Sequence, residues 1–346
     1  MVAGSAENDG PDVDGCVVLD LARMDQVLEV DPDNLLCVVQ PGAINDDVKA
    51  AVAEYGLWYP PDPASAERST IGGNVATNAG GLCCLKYGVT RDYVLGLRAV
   101  VGGPVAYGDA VRLGRRTTKG VAGLDLVGLF VGSEGTLGVV TEVTLRLRPA
   151  LAGTPRTIVA AFADLVTSGQ AVSQITQRGL IPSTLELLDR ACPEAVEQWK
   201  HLGLESDAAA LLLARVDTAG DSGAAESDAI AMTMTDAGAM WVAQSTDDIE
   251  AEALFEARRL AYPALERLGP VLTEDICVPR SKVPAMLAQV EAIGPGRACT
   301  SRRSRTPATG TCTRCSSRRQ VTRLPAPRLR RRSSCCSTRR SRSAAP

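Results

Sequence analysis

The residues able to do chemistry are unevenly placed along this chain. The densest set is Pro60-Pro61-Asp62-Pro63 followed by Ser69-Thr70-Ile71-Gly72-Gly73-Asn74-Val75-Ala76-Thr77-Asn78-Ala79-Gly80-Gly81. Two glycine pairs leave backbone N–H groups unshielded by side chains, and successive amides in turns form concave anion sites. Thr and Asn side chains add further donors, so a diphosphate is the expected guest, with glycines serving only tight turns as the alternative. The second set is Phe130-Val131-Gly132-Ser133-Glu134-Gly135-Thr136-Leu137-Gly138-Val139-Val140-Thr141. It is a glycine-rich turn running into a β-branched strand, where backbone can approach a flat ring closely.

Other chemistries have little to stand on. The single histidine among 346 residues, His201, lies between Lys200 and Leu202 and reads as a surface residue. One histidine leaves no two-histidine zinc motif and no clear partner for a Ser-His-Asp triad. No Gly-x-Gly-x-x-Gly follows a strand and no Gly-Lys-Ser/Thr ends a phosphate loop, which disfavours Rossmann and P-loop folds. Five of the eleven cysteines lie past residue 296, and the rest sit in apolar surroundings, so most are expected reduced and buried. Cys312-x-x-Cys315 has redox or zinc-like spacing, but no second pair or histidine completes a site, and no metal is assigned to it.

Charge divides the chain in two. Fifteen of the 37 basic residues, all arginine, lie in 297–346, which has no Asp or Glu; the remaining 22 stand against all 40 acidic residues. The overall net charge of −3 is therefore a cancellation between an acidic body and a basic tail. The amino terminus has neither a basic start nor an apolar core for export. The most apolar stretch, 120–132, is short and interrupted by Asp125, so no membrane span and a cytoplasmic location are expected.

The elements that must position these residues follow from periodicity. Strands are expected over 16–21 and 35–40, then a helix over 44–55, where Ile44, Val48, Ala51, Val52 and Tyr55 recur at helical spacing before Gly56. A long loop covers 60–88, and strands return over 95–101 and 139–147. After Pro149 come a strand over 157–162, a helix over 165–178, strands over 184–188 and 208–216, and a charged amphipathic helix over 249–268. The second half reads as a separate α+β domain. The division expected is 1–150, 151–294 and a tail over 295–346.

Taken together, the two glycine-rich sets resemble the flavin-binding (PCMH-type) domain of the vanillyl-alcohol oxidase and p-cresol methylhydroxylase superfamily. The branch is that of D-lactate dehydrogenase, D-2-hydroxyglutarate dehydrogenase and the flavin-carrying component of glycolate oxidase. The likeness runs over 4–293 and includes Gln40-Pro41-Gly42, Lys86-Tyr87-Gly88, Leu185-Glu186-Leu187-Leu188-Asp189 and Glu274-Asp275-Ile276-Cys277-Val278-Pro279-Arg280-Ser281. It implies an α+β fold in which the FAD-binding domain is followed by an α+β cap domain, an antiparallel sheet with helices. It places Pro61, Thr70, Gly72, Gly73, Asn74, Ala76, Thr77, Asn78, Gly80 and Gly81 on the diphosphate and ribityl side of FAD, and counts Tyr87 and Gly88 among the cofactor-binding residues. Glu134, Gly135, Gly138, Val139 and Val140 fall near the ring and adenosine. Arg258 becomes a candidate for holding a substrate carboxylate, since a guanidinium fork matches that geometry, with an exposed helix arginine beside Arg259 as the alternative. Cys83-Cys84 reads as a small apolar pair under the loop rather than a covalent flavin link.

The chain departs from this family at both ends. An earlier glycine-rich loop, the other half of the diphosphate site, is expected but only Val2-Ala3-Gly4-Ser5-Ala6 resembles it. At the far end the family's His-x-Gly-Asp-Gly-Asn-x-His, whose histidines bind a divalent metal and the hydroxy acid, is missing. Displacing the codons of residues 299–315 by one base, with permissible third positions, gives His-Val-Ser-Thr-Ile-Ala-His-Ala-Gly-Asp-Gly-Asn-Leu-His-Pro-Leu. A frameshift near 294–297 is therefore expected, and with it a tail without stable structure. The resemblance implies FAD-dependent oxidation of a small D-2-hydroxy acid by hydride transfer to flavin N5, with electrons passed to an unidentified acceptor. The alternatives are a non-catalytic FAD-binding fragment and a nucleic-acid binder acting through the arginine tail. The last is disfavoured because the tail lacks interleaved aromatics.

Overall fold

A computed structural model describes residues 17–102, 108–201, 207–245, 260–269, 271–293, 300–306 and 311–317. The first half is built on a five-stranded sheet. Its strands are β1 (Val27–Asp31), β2 (Leu36–Val39), β4 (Val94–Val100), β5 (Ala110–Gly114) and β6 (Val139–Arg146), in the order β1-β2-β6-β4-β5 with every neighbour antiparallel. A small ladder joins β3 (Leu57–Trp58) to β7 (Arg148–Pro149). Helix α1 (Asn45–Ala53) places Val48 and Val52, one turn apart, against the sheet. Cys37, Val39, Leu97, Val143 and Leu145 meet them from the strands, with Tyr59, Ile71, Val75 and Tyr93 completing the core.

The second half is a seven-stranded antiparallel sheet. Its strands are β8 (Arg156–Phe162), β9 (Thr184–Asp189), β10 (Ala210–Val216), β11 (Trp241–Ser245), β12 (Val271–Cys277), β13 (Thr300–Thr306) and β14 (Thr311–Ser317). They lie in the order β11-β8-β10-β9-β13-β14-β12. The near-continuous apolar runs of β8, β9 and β10 are those of strands covered on both faces. Three helices cover one face: α5 (Leu165–Gln177), α7 (Gly220–Asp236) and α8 (Val283–Ile293), burying Ile158, Phe162, Leu185, Leu212, Ile230 and Leu287. Helix α6 (Ala191–Lys200) and the helical residues 260–266 cover Val159, Leu188 and Leu213 on the other. Asp164 starts α5 by accepting hydrogen bonds from the Thr167 N–H at 2.7 Å and hydroxyl at 2.6 Å.

Several expectations are corrected. Residues 17–21 form no strand; Val17 and Val18 are exposed, and the chain turns where the Met24 N–H reaches Leu21 O at 2.9 Å. The edge strand is β1 instead. The loop over 60–88 contains two short helices, α2 (Ile71–Thr77) and α3 (Cys84–Tyr87), which the glycine content of the segment conceals. The helix expected over 249–268 is seen for 260–266, while 249–259, including Arg258, lie outside the described residues.

The tail is the largest correction. Thr300–Thr306 and Thr311–Ser317 form a hairpin of paired strands between β9 and β12, not a stretch without structure. Ladder hydrogen bonds are made by backbone, and without this hairpin β9 would present an unpaired edge and β12 would lack its neighbour in the sheet. The remaining tail positions, 294–299, 307–310 and 318–346, lie outside the described residues. Among the described residues no helix is long and apolar enough to cross a membrane.

Candidate functional site

The site grows out of α2. Thr70 precedes it in extended conformation, and its hydroxyl accepts from the Gly73 N–H at 3.1 Å, an N-cap that starts a helix through Gly-Gly. Ile71 and Val75 anchor the helix in the core, and the Thr77 hydroxyl bonds back to Gly73 O at 2.9 Å. Asn78 ends it in the left-handed region, with φ 50° and ψ 51°, a conformation that Asn tolerates better than most residues.

The two glycine-rich segments meet at this helix end. The Gly132 N–H donates to Val75 O, which also accepts from the Asn78 N–H at 3.3 Å, and the Glu134 N–H donates to Ala76 O, the two cross-segment bonds each at 2.9 Å. Glu134 stands at φ 53° between Gly132 and Gly135, both also at positive φ. Arg91 fastens the junction. Its backbone N–H donates to Asn78 Oδ1 at 2.9 Å, and its guanidinium to Gly128 O at 2.7 Å and Val131 O at 3.0 Å. Beyond the turn, Gly138 leads into β6, where Val139 and Val140 pair with Val100 and Ala99.

The glycine amides are engaged within the protein. The Gly72 N–H donates to Pro41 O at 2.7 Å, the Gly73 N–H to the Thr70 hydroxyl, and the Gly81 N–H to Cys84 Sγ at 2.7 Å. Three of the amides expected to close on an anion thus already have acceptors within the protein. What demands glycine is backbone packing. A Cβ on Gly72 would stand 2.6 Å from Pro41 Cβ, and one on Gly81 would stand 2.1 Å from Asp62 O. Pro61, buried beside them, accepts from Asn45 Nδ2 at 3.4 Å. Gly80 packs toward Cys84 Sγ, and Gly88 closes α3 at φ 85°.

The arrangement fits an FAD group in one specific respect. Asn74 is 3% exposed, and its Nδ2 meets no partner among the described residues. Leaving a buried amide donor unsatisfied is costly, and a cofactor acceptor is one way to remove that cost. Near it, residues 134–137 form an exposed turn in which Gly135 has no side chain, a surface on which a ring can lie against backbone. Asn74, Ala76, Asn78, Glu134 and Gly135 would hold such a group.

Other expected site residues fall elsewhere. The Tyr87 hydroxyl turns away from the glycine segments and donates to Asp217 Oδ2 at 2.5 Å, across to the second domain. Cys83 and Cys84 pack beneath the loop. Cys83 Sγ lies 3.9 Å from the Thr184 hydroxyl, and burial holds its thiol up at about 11, a protonated and unreactive form at neutral pH. His201, exposed at φ 53°, caps the end of α6. Among the described residues no cluster of three or more His, Cys, Asp or Glu could hold a metal ion. Sequence reasoning missed Arg91 and Asp217. Neither lies in a motif, and their partners are up to 40 and 131 residues away along the chain.

Comparison with known proteins fits this geometry. Residues 2–103 match the FAD binding domain family, and residues 154–296 match the C-terminal domain of FAD linked oxidases. The chain is 43% identical over 281 residues to the glycolate oxidase subunit GlcD of Bacillus subtilis, covering 81% of this chain and 59% of that protein. It is 36% identical over 272 residues to the glycolate oxidase subunit GlcD of Escherichia coli K12, covering 78% and 53%. With a D-lactate dehydrogenase of Anaerostipes hadrus it shares 31% identity over 296 residues, covering 81% and 60%. The chain thus spans less than two thirds of the length of these relatives. Among solved structures, p-cresol methylhydroxylase with substrate bound superposes with a TM-score of 0.68 at 13% identity, covering 86% of this chain and 65% of that one. An alkyldihydroxyacetonephosphate synthase does so with a TM-score of 0.68 at 19% identity, covering 86% and 61%. At those identities the likeness is one of fold, and it matches an FAD-binding domain followed by an α+β domain. Motifs, fold and relatives agree, and the chain belongs to the FAD-linked oxidase superfamily.

Proposed function

We propose that this fold serves FAD-dependent oxidation of a small D-2-hydroxy acid, with the electrons passed on to a separate acceptor. The observation that carries the reading is the junction of the two glycine-rich segments at the end of α2, beside the orphaned Asn74 amide. Bound FAD would supply the two-electron acceptor for the substrate α-hydrogen. The chain's own residues hold and orient. Asn74 offers a donor, the Ala76 to Asn78 turn and Glu134 shape the wall, and Arg91 keeps the two segments in register. Arg258 is the residue proposed to take the substrate carboxylate. The names carried by the relatives support hydroxy acids as the substrate class.

A second reading concerns this chain in particular: it holds FAD without turning over. The base and metal roles that the resemblance assigns to histidines have no residues here, since His201 is the one histidine and caps a surface helix. This reading assigns a displaced reading frame as the cause, and in that frame Gly-Asp-Gly falls across residues 307–310. The two flanking histidine codons straddle Arg305 and Thr306 on one side and Cys312 and Thr313 on the other.

The test uses two proteins, the chain as it stands and one carrying the displaced frame after residue 296. Each is loaded with FAD and given glycolate or D-lactate with a dye as electron acceptor. Dye reduction by the restored protein alone is expected. Reduction by the chain as it stands would overturn the second reading. Failure of both proteins, with FAD bound to both, would overturn the hydroxy-acid reading.

A further inference from the structure

Helix α3 belongs in sequence to the first domain, yet its side chains are engaged by the second. Leu85 packs against the core formed by β8, β9, β10 and their helices. Cys83 Sγ faces the Thr184 hydroxyl on β9. Lys86 Nζ and the Tyr87 hydroxyl both converge on Asp217, the residue immediately after β10, whose side chain is 4% exposed. The Tyr87 ring is fixed independently. It meets Trp58 edge-on at 4.8 Å between centroids, and the Arg148 guanidinium lies over it at 5.2 Å. On the other side, α3 is continuous with the cofactor loop. Cys84 Sγ accepts the Gly81 N–H, and Thr90 clasps Ala79 O through both its N–H and its hydroxyl.

We propose that Asp217 is a positioning residue for the cofactor loop: one carboxylate of the second domain fixes α3 and, through Cys84 and Gly81, sets the shape of residues 79–90. The proposal rests on the reading of that loop as part of an FAD site. A buried carboxylate that accepts from both an ammonium and a phenol is a strong anchor, because removing it takes the acceptor from the buried Tyr87 phenol and the counter-charge from the half-buried Lys86 ammonium. The cofactor site is then completed by the second domain rather than contained in the first.

Hydrogen exchange and FAD titration of the full chain separate the possibilities. In Asp217→Ala, amides within 79–90 are expected to exchange about tenfold faster or more, while those of β4 and β6 keep their protection. Tyr87→Phe, which keeps the ring against Trp58 and Arg148 and removes one bond, is expected to give about threefold. Lys86→Met combined with Asp217→Ala should cost less than the two changes added, since both remove one interaction. FAD affinity, followed by the change in flavin fluorescence, should fall about tenfold in Asp217→Ala. Unchanged exchange over 79–90 in both Asp217→Ala and Tyr87→Phe would overturn the proposal. Faster exchange with unaltered FAD affinity would leave Asp217 as the anchor and overturn the assignment of this loop to FAD.

Discussion

The loop around α2 and the hairpin of β13 and β14 are both placed by backbone hydrogen bonds, but their residues suit that placement to different degrees. Around α2, side chain and backbone agree at each step. Thr70 caps the helix, Asn78 takes the left-handed position, and glycine stands where a Cβ would meet Pro41 or Asp62. In the hairpin the two strands pair along their whole length, as β14 does with β12, while β13 meets β9 at two residues; yet the strands carry arginine, serine, threonine and cysteine in place of the histidines and acids that the family resemblance assigns to that region. A sheet can specify where a strand lies without specifying chemistry on it, whereas a glycine-rich turn specifies both. On the second reading proposed above, loss of function falls on the hairpin, and loss of fold is expected from changes at the loop.

That contrast can be broken at several places. The largest effect is expected from Gly81→Ala, where the new Cβ meets a backbone carbonyl that cannot swing aside. A cost on the order of 3 kcal/mol follows from overpacking of this kind, measurable by urea or thermal unfolding. A cost below about 0.5 kcal/mol, the range of ordinary surface changes, would show the loop to be less specified than the contrast requires.

Arg91→Ala comes next. Two carbonyl bonds are lost at the junction, though the residue is exposed, and about 1–2 kcal/mol is expected together with weaker FAD binding. Asp164→Ala is the control in the second domain. Its carboxyl is held below the usual range by the Thr167 hydroxyl and N–H, and about 1 kcal/mol of cap stability should be lost without change at the loop. This contribution is present at neutral pH and disappears as acid protonates the carboxyl. Parallel loss of FAD affinity in Asp164→Ala would blur the distinction between the domains.

The mildest prediction concerns alkaline pH. Burial raises the Cys37 thiol from 9.0 to about 12 and also raises the Tyr59 phenol, both in the core of the first domain. A raised acid stabilises the fold while pH stays below its unfolded value, and the contribution is lost as pH climbs toward the folded one. The first domain should therefore weaken between about pH 9 and 12, and Cys37→Ala should flatten that slope in a series of unfolding curves.

Much of the scaffold was legible from periodicity. β4, β6, β8, β9, α1 and α5 fall within one or two residues of their expected ends, because runs such as Thr157 to Phe162 bury a continuous apolar strip. Helices α2 and α3 were hidden, since glycine lowers helix propensity and the capping role of Thr70 emerges only with the Ile71 and Val75 contacts in place. The family and the cofactor loop could be read from the paired glycine segments. The reason for those glycines could not, because Pro41 and Asp62 approach them only in the folded chain. Asp217 was out of reach for the same reason: Lys86 and Asp217 are 131 residues apart, and no local pattern marks either. In the tail, composition argued for coil, and backbone pairing with the edge of β9 and with β12 outweighed it.

Equilibrium titration of the purified chain with FAD tests the central claim most directly, with Gly81→Ala as its partner sample. Saturable binding by the chain, lost in Gly81→Ala, is predicted. An absence of binding by the chain in its folded state would contradict the assignment of the α2 loop and the Glu134 turn to FAD.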